Sequence, residues 1–192
     1  MKKLTLAIFA LAIAFLGFSN VSAQMSNDKM MNGNPMVGGA AMFKNKDIVD
    51  NAVNSKDHTT LVAAVKAAGL VETLKGKGPF TVFAPTNSAF DALPAGTVDT
   101  VLKPENKALL TKVLTYHVVK GKMDSKAIMK AIKKGNGKAM LTTVSGDTLT
   151  ASMDGNTLVL TDEKGGMSRV TIGDVRQSNG VIHVVDTVLM PS

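Results

Sequence analysis

The sequence predicts an α+β fold, with helices filling its first half and antiparallel strands its second. Three observations predict it. Between about residues 45 and 134 the apolar side chains recur at helical spacing. Beyond Gly137 they alternate with a period of two. Asp154-Gly155, Gly146-Asp147 and Asn179-Gly180 then punctuate the alternating segments as hairpin or turn signals.

The elements follow in order. Ile48, Val49, Ala52 and Val53 make one apolar stripe, with Asp47 placed to cap it. A second helix carries Leu61, Val62 and Val65, is capped by Asp57 or Thr59, and stops at Gly69. A short turn around residues 71–74 ends at Gly76. Phe80, Val82 and Ala84 then face one side of a strand, and Thr81 and Phe83 the other. Pro85 lacks an N–H and ends that ladder, and Thr86 or Asn87 offers a cap oxygen to a short helix burying Phe90 and Leu93. Pro104 opens the next helix as a first-turn proline beside Glu105, with a stripe of Leu109, Leu110, Val113, Leu114 and His117. Ser125 is the expected cap of another, with Ile128, Met129 and Ile132 inside, Lys133 and Lys134 in the last turn and Gly135 after it. Strands are expected over 140–145, 148–153, 157–160, 169–172 and 181–190. In the last, Val181, Val185 and Leu189 alternate with Ile182, Val184 and Val188, so both faces are apolar, as in a strand buried on both sides.

The N-terminus reads as an export signal. Lys2 and Lys3 precede an apolar run from Leu4 to Phe18, and Val21-Ser22-Ala23 forms a small-residue cleavage pattern before Gln24. The run is shorter than the roughly 20 residues of a membrane span, and no second run of that length follows. The expectation is a secretory signal peptide over residues 1–23, cleaved near Ala23-Gln24. The mature protein is then secreted or periplasmic, without stable membrane insertion. Residues 24–44 lack periodicity and are rich in Met, Asn and Gly, which reads as a flexible leader before a domain at 45–192. Met25, Met30, Met31, Met36 and Met42 could offer thioethers to Cu(I), but their spacing is irregular and no His or Cys lies nearby. No metal or other cofactor is expected.

Composition narrows the function. The 192 residues include no Cys, which excludes disulfides, thiolate zinc sites, iron–sulfur clusters and a cysteine nucleophile. Without Trp and with one Tyr, the chain has few platforms for stacking bases or sugars. Once Lys2 and Lys3 are removed, 20 basic residues face 15 acidic ones, a net +5 that suits acidic polymers or simply solubility. Lys126, Lys130, Lys133, Lys134 and Lys138 form a basic face that could bind acidic polysaccharide or nucleic acid; a solvated helix face is its simpler account, because no aromatic residues are interleaved, and no nucleic-acid partner is expected. Catalytic groupings are missing. His58, His117 and His183 lack metal-ligand spacing. Ser178 and Asp186 flank His183 along one strand, where alternate side chains point apart and make no triad. Gly76-Lys77-Gly78 precedes a strand rather than a helix, unlike a phosphate loop. The chain reads as no enzyme. His117 and His183 read as buried histidines held by hydrogen bonds, and His58 as part of a polar helix start beside Asp57.

Three stretches carry a resemblance: Gly78-Pro79-Phe80-Thr81-Val82-Phe83-Ala84-Pro85-Thr86-Asn87-Ser88-Ala89-Phe90, the Tyr116-His117 segment from Leu114 to Val119, and the run from Ser178 to Pro191. In this order and at these separations they resemble the fasciclin domain over about residues 45–191. The resemblance implies a wedge-shaped β-sandwich with helices packed along one edge. It also implies extracellular adhesion, with a protein or glycan of the cell surface or matrix as partner. In animal members, integrin contact is attributed to an Asp-Ile pair before the last stretch and to the Tyr-His segment. The corresponding residues here are Asp174, Val175, Tyr116 and His117, with Gly173 and Arg176 departing from the usual flanking residues. A monomer is expected. The alternative reading is a small-molecule or metal carrier using the groove between helices and sheet, or the Met-rich leader.

Overall fold

The computed structural model describes residues 33–192 together with the backbone of Met30 and Met31; the expected signal peptide lies outside the described residues. The two longest family-like stretches meet at its centre. Strand β4 (Phe80–Pro85) runs parallel to a strand at Gly180–Val185, with Val82 opposite Ile182 and Phe83 opposite His183. Their backbones approach so closely that side chains are excluded at the joint. A Cβ on Gly180 would lie 2.2 Å from the Phe80 carbonyl oxygen, and one on Gly78 2.1 Å from the Asn179 carbonyl oxygen.

Around this pair the remaining strands are antiparallel. They are β5 (Val118–Lys120), β6 (Lys138–Thr142), β7 (Thr148–Asp154), β8 (Thr157–Thr161) and β9 (Met167–Gln177), with Gly180–Val185 as β10. The order is β5-β4-β10-β9-β8-β7-β6. The start of β9 pairs with β8 and its remainder with β10, so one sheet folds over itself and forms both leaves of the sandwich. A bridge between Val119 and Thr143 brings the two edges together, making the sheet almost a barrel.

Both faces of β4 and β10 are buried, as expected for the second of them, and this divides the interior. Val82, Ala84, Ile182, Val184 and Val188 belong to one apolar cluster, shared with the helices of the first half. Phe83, Val185 and Leu189 belong to another, with Leu149 and Leu160 from the opposite leaf. Each fully buried Val, Leu, Ile or Phe contributes roughly 1.5–3 kcal/mol.

The helices are α1 (Ile48–Ala52), α2 (Thr59–Ala68), α3 (Val71–Lys75), α4 (Asn87–Asp91), α5 (Thr97–Val101), α6 (Lys107–Tyr116) and α7 (Ser125–Lys134), with 3-10 turns at Lys56–His58 and Pro104–Asn106. Asp47 caps α1 by accepting from the Asp50 N–H, and Thr86 caps α4 by accepting from Ala89. Gly69 ends α2 at φ 75°, as expected. Two expected caps differ. At α2 the Thr60 N–H donates to Asn87 Oδ1 at 3.0 Å, so the cap comes from the neighbouring helix rather than Asp57 or Thr59. At α7 the cap is Asp124, which accepts from Ala127, because the amide and hydroxyl of Ser125 are both turned to Asp174. Met129, expected inside, is exposed, and so is Leu109.

The leader also needs correction. Met30–Met31 (β1), Asn34–Val37 (β2) and Ala40–Ala41 (β3) form a small three-stranded sheet, and Val37 and Met42 sit in the first apolar cluster. Asn51 holds this segment to α1: its side chain accepts from the Phe43 N–H and donates to the Phe43 carbonyl, and it also donates to Gln177. At the other end of the chain, β10 stops at Val185 rather than at Met190. There the Asp186 carboxylate takes the Arg169 N–H, and the following amides of Leu189 and Met190 turn inward to His117 and Asp162.

Candidate functional site

Tyr116 and His117 end α6 where its apolar stripe meets both clusters. His117 is 3% exposed. Its Nε2 accepts from the Leu189 N–H at 3.0 Å, so Nδ1 carries the proton and donates to the Val113 carbonyl at 2.9 Å. Burial pulls its pKa below the ordinary imidazole value, outweighing the Val113 carbonyl and Asp162, which favour the charged ring. The side chain therefore staples the chain end after β10 to α6 in neutral form. Tyr116 is wholly buried, and its hydroxyl donates to the Thr148 carbonyl at 2.8 Å. Burial pushes that phenol up to about 12.

Asp174 and Val175 lie on β9 where the ladder is irregular, and Asp174 has φ 59°. The carboxylate accepts from the Ser125 amide at 2.7 Å and the Ser125 hydroxyl at 2.5 Å, fixing the start of α7 against the sheet. Burial opposes the charge, yet these two hydrogen bonds hold its carboxyl below the usual range. Val175 is 1% exposed. The Tyr-His and Asp-Val pairs are thus not brought together into one patch. Tyr116, His117 and Val175 present no side-chain surface, and Asp174 is half-buried.

The other histidines are internal as well. His183 stacks on Phe83 at 5.6 Å between ring centroids, with Nε2 donating to the Met123 carbonyl and Nδ1 facing the Asp174 N–H. His58 sits at a helix start beside Asp57, as expected, but its side chain is buried rather than capping, with Nδ1 2.8 Å from Ser55 Oγ. Its Nε2 is the one buried side-chain nitrogen or oxygen among the described residues without a hydrogen-bond partner. Burial lowers the pKa of both. No three His, Asp or Glu side chains converge to hold a metal ion among the described residues.

Two polar features lie outside. The five lysines of the basic face, Lys126, Lys130, Lys133, Lys134 and Lys138, are all exposed. An open cleft of about 620 Å³ surrounds Asn179, between Lys77, Lys122 and the Lys75–Asp50 ion pair of 2.7 Å. The sequence reading missed Asn179 as a clamp. Its side chain accepts from the Ile48 N–H and donates to the Leu74 and Gly76 carbonyls, tying α1 and α3 to the turn before β10. Its signal was there, in an Asn before Gly at the mouth of an apolar strand, but turn chemistry alone accounts for that pair.

This architecture, helices against a nearly closed α+β sheet, is already seen in a solved FAS1 domain pair from the insect cell adhesion molecule Fasciclin I. The match has a TM-score of 0.67 over 76% of this chain and 51% of that one, at 16% identity, which speaks for fold alone. Residues 56–191 match the Fasciclin domain family, and the chain belongs to that family. Relatives include Protein sll1483 of Synechocystis, 45% identical over 81% of this chain and 79% of its own length. Immunogenic protein MPB70 of Mycobacterium bovis is 38% identical over 73% of this chain and 66% of its own. Human periostin is 32% identical over 70% of this chain but only 15% of its own length. Among the described residues no helix is long and apolar enough to cross a membrane.

Proposed function

We propose that the protein is an exported adhesion module that binds a protein or glycan of the cell surface or matrix and performs no catalysis. The observation that supports this most is the inward use of its chemistry. All three histidines are buried, and the polar groups that the family motifs supply are occupied in holding α6, α7 and the chain end to the sheet. What remains free for a partner is the outside of the fold. The test is capture of cell-envelope and matrix material from the host by the mature protein, at several salt concentrations, against an unrelated protein of equal charge. Enrichment supports the reading, and equal capture by the control contradicts it.

A carrier is the second reading, favoured by one observation. An almost wholly apolar cavity of about 80 Å³ lies between α1–α3 and the β4–β10 pair, lined by Leu61, Val65, Val82, Leu114 and Ile182, with His58, whose Nε2 lacks a partner among the described residues, also lining it. Native mass spectrometry of protein purified from its host separates the two: a stoichiometric extra mass favours the carrier, and a bare polypeptide favours adhesion.

A further inference from the structure

The positive charge of this chain is not spread over it. Residues 125–146 contain five lysines and no acidic residue, while the rest of the chain beyond residue 23 has fifteen basic and fifteen acidic residues. The whole net charge of the expected mature protein is therefore carried by α7 and the strand after it.

The fold turns this segment into one surface. At 3.6 residues per turn, Lys126, Lys130, Lys133 and Lys134 fall within an arc of about 100°. That arc lies opposite Ile128 and Ile132, which are buried in the second cluster. Lys138 continues the row onto β6, where Lys138, Met140 and Thr142 point outward and Ala139 and Leu141 inward. An open groove of about 620 Å³ runs between the end of α7 and the β6–β7 pair, lined by Lys134, Lys138, Met140 and Thr150. Met140 is 77% exposed in it. Among the described residues none of the five ammonium groups forms an ion pair; the nearby acids Asp124 and Asp154 are engaged by Arg176 and Arg169. A merely solvated helix in a charge-balanced protein has no need for such segregation, and mutual repulsion of the lysines opposes it.

We infer that this face docks an anionic polysaccharide, the charged groups lying along Lys126, Lys130 and Lys134 and a sugar ring resting on Met140 between Lys134 and Lys138. This rests on the adhesion reading and names the partner's chemistry. Successive lysines four residues apart rise about 6 Å along the helix, a ladder suited to a linear polymer with regularly repeated charge. A membrane surface fits less well, because the apolar face of α7 is already buried in the core rather than available to lipid. Nucleic acid fits less well, because no aromatic side chain lies among the lysines to stack on bases.

The experiment uses the mature protein and a variant carrying Lys126→Gln, Lys130→Gln, Lys133→Gln and Lys134→Gln. A control removes the same charge elsewhere, with Lys44→Gln, Lys66→Gln, Lys103→Gln and Lys164→Gln. Circular dichroism and melting temperature check that each is folded. Binding is measured to immobilised alginate, to neutral dextran, to duplex DNA and to phosphatidylglycerol vesicles. The expected result is binding to alginate above the other three surfaces, falling roughly 50-fold between about 50 and 200 mM salt. The α7 variant loses at least about tenfold and the control less than about twofold. Equal loss in both variants, or binding to DNA or vesicles as tight as to alginate, overturns the assignment. Undiminished capture of host envelope material by the α7 variant overturns it too while leaving adhesion itself standing.

Discussion

Replacing His117 by alanine tests whether this residue belongs to the scaffold. The wild-type ring is buried and satisfied at both nitrogens, by the Leu189 N–H and the Val113 carbonyl. Alanine leaves the buried Leu189 N–H without an acceptor, which costs about 1–3 kcal/mol. The void left by the ring adds to this, because neighbours collapse only partly into it. A total near 3 kcal/mol lowers the melting temperature by roughly 6–12 °C for a domain of this size. The assay is thermal unfolding followed by circular dichroism at neutral pH, with His117→Gln as a variant that retains a polar atom and loses less. A melting temperature unchanged in His117→Ala refutes the reasoning and returns His117 to the list of contact residues.

Further outcomes follow from the same contacts. The pKa values of His58, His117 and His183 are all lowered by burial, so the unfolded chain takes up their protons first; stability is full above about pH 6.5 and falls below it by up to about 1.4 kcal/mol per pH unit per histidine. A melting temperature flat between pH 7.5 and 5 contradicts this. Tyr116, the one tyrosine, should ionise near 12 in the folded protein, giving a late rise in tyrosinate absorbance, and Tyr116→Phe should cost about 1 kcal/mol through the Thr148 carbonyl left without its donor. Met42→Ala should destabilise by about 2–5 kcal/mol in chemical denaturation, whereas a flexible leader would tolerate it. Gly180→Ala should destabilise by about 3 kcal/mol or more, because its Cβ meets the Phe80 carbonyl oxygen at 2.2 Å.

The sheet was legible where side chains obey a strict period. The alternation around Pro85 and after Asn179 told which residues face each apolar cluster before any pairing was known, because both faces of β4 and β10 are covered. The parallel partnership of these two strands was not legible, since it joins residues about 100 positions apart and depends on the bare backbones at Gly78 and Gly180. Residues 34–42 were missed because strands of four and two residues are too short for periodicity to show. Gly38-Gly39 between Val37 and Ala40 was the available hairpin signal. The caps of α2 and α7 were misplaced because Asn87 and Asp174 act from distant elements, and a local reading sees only the nearest polar residue. At the candidate site, the place of His117 on the apolar stripe of α6 indicated that it was internal, but nothing local showed that Tyr116 and Val175 were equally enclosed.

The most direct test is the affinity of folded Tyr116→Phe and His117→Ala proteins for host envelope material, corrected for the fraction folded at the assay temperature. On the proposed adhesion reading the interior residues hold the domain together and the partner meets only its exterior, so binding per folded molecule should equal that of the parent protein. A variant that melts like the parent yet binds several-fold more weakly would place the partner at Tyr116 and His117 and contradict that division.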